Sequence, residues 1–226
     1  MSIEIYKAGD IPVIQGVLFD MDGLVLDTEK LYSRFWMEAC HFYGYPMTYE
    51  QSLSMRAANS HVGAQNLRQF FGPEIDYKTI RDKRVELMDA FIAENGVEPK
   101  PGIFELMDFL EEQGIPAAIT SSSPADRIRA HLSSLGLYHR FAAICSGYDV
   151  PCGKPAPDIY LHGAASLGLD PKNCLALEDA PLGIESAFRA GCVPVMVPDQ
   201  APPDELTRAM LYAKADSLAD IIDLLK

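Results

Sequence analysis

Short apolar segments alternate with amphipathic helical stretches through the second half of the chain, and this alternation constrains the fold more than any other feature. The predicted strands are apolar throughout, which is typical of strands buried on both faces of a parallel sheet. They read IPAAIT at 115–120, FAAICS at 141–146, NCLALE at 173–178 and VPVMV at 193–197. Helices are predicted before and between them, over 102–113, 124–135, 157–167 and 181–190. We therefore expect an α/β fold with a Rossmann-like parallel sheet covered by helices on both faces.

Two further strands are predicted near the ends of the chain. Residues 16–19 (GVLF) form a short apolar run that stops at two acidic residues. The closing segment 214–226 (KADSLADIIDLLK) is expected to add an edge strand and a final helix.

Residues 30–95 differ from the rest of the chain because they are helical by pattern almost throughout. Helices are predicted over 29–44, 61–70 and 76–94. The chain returns to the α/β pattern through 94–102 (ENGVEPKPG), which is rich in Gly and Pro as a linker would be. We expect an α/β core domain from 1–29 and 97–226, and a small all-helical domain from 30–96 inserted after the first strand.

The charge and cysteine content exclude several classes of partner. The 226 residues include 19 Lys and Arg against 32 Asp and Glu, which gives a formal net charge of −13. Nucleic acids and anionic membrane surfaces need a basic footprint, so neither is expected as a partner. No apolar run approaches membrane-spanning length, and the five cysteines are scattered without a C-x-x-C pair. We therefore expect a reduced, cytoplasmic protein, and we expect a monomer.

Polar side chains follow four of the predicted strands at the end where parallel sheets bind their ligands. They are Asp20 and Asp22 after VLF, Ser121 and Ser122 after AAIT, Lys154 in the loop after FAAICS, and Glu178 and Asp179 after CLAL. Because the carboxyl ends of parallel strands meet at one edge, we expect these groups to lie together. The sequence therefore predicts a site with carboxylates, hydroxyls and one ammonium at a single edge of the sheet.

Most of these groups have a chemical interpretation in phosphoryl transfer. An aspartate such as Asp20, with an ordinary pKa of about 4, is ionised at neutral pH and needs no base in order to act as a nucleophile. Its repulsion with a phosphate can be relieved by Mg²⁺ bound to Glu178 and Asp179, one of which, with Glu178 favoured, would act through a water molecule. Lys154 suits the space between phosphate and nucleophile, and the Ser121 hydroxyl can bind a phosphoryl oxygen.

Asp22 is interpreted as the proton carrier. It lies two residues after Asp20, on the same side of an extended chain, where crowding by a second carboxylate disfavours its ionisation. It could therefore hold a proton for the leaving oxygen, and Gly23 permits the chain to turn away afterwards.

The same residues also have purely structural interpretations. Two acids after a buried strand could form a solvated turn. Serine is a favoured helix N-cap, so Ser123 is expected to cap the helix that starts at Pro124, while Ser121 faces the site. Asp179 could likewise cap the helix that begins at Pro181.

Four segments together resemble the signature motifs of the haloacid dehalogenase (HAD) superfamily. They are VLFDMDG, ITSS, GKPAPDIY and LEDAPLGIESAFRAG, in that order along the chain. The resemblance covers nearly the whole sequence. The helical insert resembles the cap domain of the subgroup that contains sugar-phosphate phosphatases and β-phosphoglucomutase.

The resemblance implies a role for each residue at the strand ends, with Mg²⁺ as the cofactor. The implied roles are nucleophile and metal ligand for Asp20, acid/base and backbone metal ligand for Asp22, phosphate binding for Ser121 and Lys154, and metal binding for Glu178 and Asp179. We include Ser122, next to Ser121, among the phosphate-binding residues.

The predicted reaction is hydrolysis of small phosphorylated metabolites, with sugar phosphates favoured, through an aspartyl-phosphate intermediate. Two alternatives stay open. A phosphomutase of the β-phosphoglucomutase type would use the same first half-reaction, although Tyr32 stands where such enzymes typically have a histidine. The other alternative is a non-catalytic module on this fold that binds a phosphorylated metabolite.

Within the insert, Arg56 is the residue that we expect to bind a second anionic group of the substrate. Three cations of the last insert helix, Arg81, Lys83 and Arg84, are expected on its solvated face. The aromatic residues of the first insert helix and the turn after it are expected to form the core of the insert. They are Tyr32, Phe35, Trp36, Phe42, Tyr43 and Tyr45.

Overall fold

The computed structural model describes residues 3–7, 11–55, 60–199 and 202–226, and it contains a seven-stranded sheet. The strands are β1 (Ile3–Ile5), β2 (Gly16–Phe19), β3 (Ala117–Ser121), β4 (Ala143–Ser146), β5 (Cys174–Glu178), β6 (Val193–Met196) and β7 (Ala213–Ala215). Their order across the sheet is β1-β7-β6-β5-β2-β3-β4. Neighbouring strands are parallel except β1, which pairs antiparallel with β7. The predicted α/β fold with a Rossmann-like parallel sheet is therefore confirmed.

Among the described residues, five helices directly precede or connect the parallel strands, and a sixth follows the last strand and contacts the first of the five. They are α5 (Ile103–Gln113), α6 (Ala125–Ser134), α7 (Asp158–Ser166), α8 (Pro181–Arg189), α9 (Glu205–Met210) and α10 (Ile221–Leu225). The chain leaves α5 through Gly114, whose left-handed backbone (φ 66°) favours glycine and turns the chain towards β3. α7 approaches the sheet closely at Gly163, where a Cβ atom would lie 2.6 Å from the Thr120 side chain. Small residues thus set how near the helices lie to the strand ends.

The strand β2 lies inside the sheet, third from the β4 edge, with β3 on one side and β5 on the other. In the register of these pairs Phe19 lies opposite Ile119 and Leu177. Strand order runs outward in both directions from β2, which makes this the switch point where open α/β sheets bind ligands. The residues that follow these positions therefore leave the sheet at the same edge.

A second compact unit is built from helices. The chain divides into a unit of Met1–Leu26 with Glu98–Lys226, and a unit of Asp27–Val97. The helices of the second unit are α1 (Glu29–Phe42), α2 (Tyr49–Leu53), α3 (Ser60–Phe71) and α4 (Tyr77–Asn95). Its buried core consists of Trp36, Ala39, Cys40, Met47, Met55, Leu67, Ile75 and Ile80. Each unit thus has a hydrophobic core of its own.

The edge of the sheet differs from the prediction. The segment predicted as an edge strand contains part of β7, but β7 lies one strand in from the edge because β1 pairs with it. β1 has three residues (IEI), too few to show the alternation by which a strand is predicted.

Two short helices, α2 and α9, were also absent from the prediction, and side-chain caps start both of them. The Thr48 hydroxyl accepts from the Gln51 N–H, and the Asp204 carboxylate accepts from the Thr207 N–H. The capping box around Thr48 is a sequence signal that could have located α2.

Two expectations about the helical unit are wrong. Arg84 is buried rather than solvated, and its guanidinium lies 4.6 Å from the ring centroid of Tyr32 and 5.3 Å from that of Trp36. Phe42 and Tyr43 are exposed rather than part of the core. Arg84 occupies the buried stripe of α4 together with Ile80 and Met88, one helical turn away on either side. The spacing of these residues was not recognised as a buried stripe, because a charged residue such as Arg84 is expected on the solvated face of a helix.

The state of the cysteines and the length and polarity of the helices bear on disulfide bonding and on membrane insertion. All five cysteines are free thiols, and Cys152 is exposed while the other four are buried. Across the described ranges, every helix is too short or too polar to cross a membrane.

Replacing Gly102 with alanine should destabilise the α/β unit more than replacing Gly114. Both glycines flank α5 with left-handed backbones, at φ 88° and φ 66°. At Gly102 a Cβ atom would also lie 2.3 Å from the backbone nitrogen of Ala219, whereas no described atom lies within 4 Å at Gly114. Gly114→Ala should lower the free energy of unfolding by about 1–2 kcal/mol through backbone strain alone. Gly102→Ala should lower it by about 1–3 kcal/mol more through overpacking.

Urea denaturation followed by circular dichroism would measure both variants. Equal losses at the two positions would show that the contact with Ala219 relaxes without cost.

Candidate active site

Three carboxylates meet where β2 and β5 end. Asp20 follows β2 directly, and its backbone N–H donates to the Leu177 carbonyl of β5 at 3.0 Å. Glu178 is the last residue of β5, and Asp179 follows it. Asp20 and Glu178 are buried, at 7% and 1% exposure, and Asp179 is half-buried. One carboxylate oxygen from each of the three lies within 4.8 Å of the others. The structure therefore brings these predicted residues together.

The ammonium of Lys154 bridges two of these carboxylates. Its Nζ donates to Asp20 Oδ1 at 2.5 Å and to Glu178 Oε1 at 2.6 Å, and the side chain is only 10% exposed. Burial lowers the pKa of Lys154, but the carboxylates of Asp20 and Glu178 outweigh that effect and raise it above its ordinary value. Lys154 therefore stays charged at neutral pH.

The cluster still carries more negative than positive charge. Burial raises the pKa of Asp20 to about 8, Lys154 opposes that rise, and the neighbouring Glu178 adds to it. The sequence predicts an ordinary pKa for Asp20, but it does not show the burial that raises the pKa in the cation-free site. A cation at this position would restore the charged form of Asp20. A donor set made of carboxylate oxygens is the kind that hard divalent cations prefer, so Asp20, Glu178 and Asp179 fit such an ion.

Tyr160 of α7 is a member of the site that sequence reasoning missed. The side chain is fully buried, and its hydroxyl donates to Glu178 Oε1 at 2.5 Å. Glu178 Oε1 thus receives two hydrogen bonds, one from Tyr160 and one from Lys154. The available signal was a tyrosine on the apolar face of a helix, since a buried Tyr hydroxyl usually finds a polar partner.

Gly183 of α8 provides the space for the Glu178 carboxylate. A Cβ atom at Gly183 would lie 1.9 Å from Glu178 Oε1 and 2.3 Å from Oε2. α8 begins at Pro181, so its first turn passes directly over this carboxylate. Gly183, the first glycine of LEDAPLGIESAFRAG, is therefore part of the site because it has no side chain.

The serines after β3 take different positions. Ser121 is buried at the strand end, and its Oγ accepts the backbone N–H of Ser123 at 3.1 Å. Its own O–H is therefore the group that can donate to a ligand. Ser122 is exposed.

The expectation that Ser123 caps α6 is wrong. Pro124 occupies the N-cap position with an extended backbone, which places Ser123 one residue too early to cap. The Ser123 hydroxyl instead donates to Asp22 Oδ2 at 2.9 Å. Asp22 is half-buried in the turn after β2, where Gly23 has the left-handed φ of 87° that glycine favours. Arg56, the residue predicted for a second anionic group, lies outside the described residues.

Carboxylates and one lysine lie at the switch point of a parallel sheet, the position at which open α/β sheets bind their ligands. The chain belongs to the haloacid dehalogenase-like hydrolases, because the model of that family matches residues 14–191. That range includes every residue of the site described above.

Several sequence relatives of this chain are named as phosphatases. Hexitol phosphatase A of Escherichia coli is 33% identical over 193 residues, which span 84% of this chain and 85% of that protein. The fructose-1-phosphate phosphatase of Escherichia coli is 30% identical over 176 residues, or 78% of this chain and 92% of that protein. The protein is therefore an HAD-type phosphoric monoester hydrolase. Hydrolases of this family generally use a divalent metal ion, which agrees with the carboxylate cluster.

A solved β-phosphoglucomutase has the same fold. The enzyme from Clostridium difficile matches with a TM-score of 0.71 and 23% identity, over 92% of this chain and 93% of that one. At this identity the likeness concerns the fold alone. The predicted resemblance to the HAD superfamily and its sugar-phosphate phosphatases is confirmed by the family match and the sequence relatives.

Replacing Gly183 with alanine should weaken binding of a divalent cation, because the new methyl group would displace the Glu178 carboxylate. We expect the dissociation constant for Mg²⁺, measured by isothermal titration calorimetry, to rise by about 10- to 100-fold. Gly191→Ala is the matched control, since Gly191 lies just beyond the other end of α8 with no described atom within 4 Å of a Cβ. An unchanged dissociation constant in a folded Gly183→Ala protein would show that Glu178 does not contribute to the cation site.

Proposed function

We propose that the protein is a Mg²⁺-dependent phosphatase that hydrolyses small phosphorylated metabolites, with sugar phosphates favoured, through an aspartyl-phosphate on Asp20. The observation that carries this proposal is the buried cluster of Asp20, Glu178 and Asp179 with Lys154 bridging two of its members. The phosphatase relatives support hydrolysis as the reaction.

In the proposed first step an Asp20 carboxylate oxygen attacks phosphorus. The new oxygen–phosphorus bond forms as the bond from phosphorus to the substrate's alcohol oxygen breaks. Asp22 gives its proton to that leaving oxygen, which departs as an alcohol. Asp22 is suited to this role because it stands two residues from Asp20 and outside the three-carboxylate cluster.

In the proposed second step a water molecule hydrolyses the aspartyl-phosphate. Asp22, now without its proton, accepts a proton from the water as its oxygen attacks phosphorus. Asp20 leaves as a carboxylate, and inorganic phosphate is released. The site returns to its starting protonation state.

The remaining residues of the site would bind the phosphoryl group and neutralise its charge. Lys154 has three N–H donors, two of which point at Asp20 and Glu178, and we assign the third to a phosphoryl oxygen. The Ser121 hydroxyl and the adjacent Ser122 would bind the other phosphoryl oxygens. When bound, Mg²⁺ would neutralise the charge between phosphate and carboxylates, held by Asp20, Glu178, Asp179 and the backbone carbonyl of Asp22.

Substrate selection is the role that we propose for the helical domain, 30–96. Arg56 remains our candidate for binding a second anionic group. A phosphomutase would need such a group to hold a bisphosphorylated intermediate, whereas a phosphatase would not. The phosphatase names of the sequence relatives favour hydrolysis over the mutase reaction.

Asp20→Asn should abolish phosphate release, since the amide cannot serve as the nucleophile. We expect kcat with p-nitrophenyl phosphate and Mg²⁺ to fall by at least about 10³-fold. Asp126→Asn is the control, because Asp126 is an exposed aspartate in the first turn of α6 and should keep full activity. Thermal melting would establish that both variants are folded. Persistence of full activity in Asp20→Asn would remove the proposed mechanism.

A panel of phosphorylated metabolites, assayed for phosphate release with Mg²⁺ and with a chelator, would identify the substrate class. We expect release from hexose and hexitol phosphates that stops when the chelator removes the metal. Conversion of β-glucose 1-phosphate to glucose 6-phosphate with little free phosphate would instead establish the mutase. Binding without turnover of any compound would establish the non-catalytic module.

A further inference from the structure

The hydrogen bond between Ser123 and Asp22 joins two loops that are far apart in the sequence. Ser123 Oγ lies 2.9 Å from Asp22 Oδ2 across a separation of 101 residues. Ser123 is 6% exposed, in the turn between β3 and α6. A buried hydroxyl that donates to one carboxyl oxygen restricts the orientation of that carboxyl group.

Ser123 is itself held in place through its backbone. Its N–H donates to Ser121 Oγ at 3.1 Å, and its carbonyl accepts from Ser146 Oγ at 2.8 Å. Ser146 ends β4, is fully buried, and accepts the N–H of Tyr148 at 3.1 Å through the same Oγ. The Ser123 hydroxyl is therefore presented to Asp22 by the ends of two neighbouring strands, β3 and β4.

This contact distinguishes the two oxygens of the Asp22 carboxyl. When Oδ2 accepts the Ser123 hydroxyl, Oδ1 is the oxygen that remains to exchange a proton with the substrate. Proton transfer requires the acid to lie about 2.6–3.2 Å from the leaving oxygen. The hydrogen bond from Ser123 restricts the rotation of this half-buried carboxyl group and so favours one orientation of Oδ1.

We propose that Ser123 is a positioning residue that orients Asp22 for proton transfer to the leaving alcohol. This inference rests on the proposed function, in which Asp22 is the acid. In this role the Ser123 hydroxyl holds the Asp22 carboxyl group in place and does not itself react with the substrate. It also explains why the hydroxyl is buried beside a carboxylate instead of capping α6.

The leaving group gives the proposal a specific signature. A sugar alkoxide is a poor leaving group and needs the proton of Asp22, whereas p-nitrophenolate leaves without one. Loss of the Ser123 hydroxyl should therefore slow phosphoryl transfer from a sugar phosphate but not from p-nitrophenyl phosphate. A general loss of structure would slow both.

The experiment is a single-turnover measurement with enzyme in excess over substrate and Mg²⁺ present. This format measures the first step directly, even where hydrolysis of the aspartyl-phosphate limits steady-state turnover. For Ser123→Ala we expect release of fructose from fructose 1-phosphate, or of the alcohol from the best substrate of the panel, to slow by about 10- to 100-fold. Release of p-nitrophenolate should stay within about twofold of the unsubstituted protein.

Two further variants complete the design. Ser123→Thr keeps the hydroxyl and should restore most of the lost rate. Ser134→Ala removes a hydroxyl at the end of α6, where it donates to the His131 carbonyl, and should leave both substrates unaffected. Equal slowing of both substrates by Ser123→Ala, or of neither, would overturn the positioning role.

Failure of this inference can be told apart from failure of the proposed function. If Asp20→Asn is inactive and Ser123→Ala behaves like the unsubstituted protein, the phosphatase mechanism stands and the role of Ser123 falls. If Asp20→Asn keeps its activity, both fall together.

Discussion

The contact between the Lys154 ammonium and the carboxylates of Asp20 and Glu178 is the interaction on which the site depends. Two buried carboxylates at the ends of neighbouring strands would repel each other and resist ionisation without a positive charge between them. Lys154 supplies that charge at hydrogen-bond distance to both. Even so, burial keeps the pKa of Asp20 above its ordinary value. The carboxylate oxygens of Asp20, Glu178 and Asp179 lie close enough together to hold a divalent cation.

The sheet order explains why these groups meet. β2 is flanked by β3 and β5, so residues at three adjacent carboxyl ends point to one edge, and the loop after β4 brings in Lys154. Glycines then decide how closely the helices approach. Gly163 lets α7 lie against β3, which places Tyr160 within reach of Glu178, and Gly183 leaves room for the Glu178 carboxylate beneath α8. The polar cluster therefore depends on the close packing of α7 and α8 that these glycines allow.

Sequence reasoning located the charged residues of the site and Ser121, but it missed two neutral residues that hold the carboxylates in place. Asp20, Glu178 and Lys154 could be found because each follows an apolar strand or stands in a recognisable motif. Tyr160 and the contact of Ser123 with Asp22 were missed, because a buried tyrosine on a helix and a serine before a proline have common structural uses. Their contacts join segments separated by 18 and 101 residues, which no local pattern reveals.

By itself, the sequence determined the α/β class, the positions of the main strands, the helical insert and the phosphoryl-transfer character of the strand ends. These properties follow from local periodicity and from residue types that recur at short spacing. The tertiary structure decided the strand order at the edge, the burial of Arg84, the raised pKa of Asp20 and the partners of Ser123 and Tyr160. Each of these depends on which distant segments exclude water from a group or come within hydrogen-bond distance of it, and that information exists only once the chain is folded.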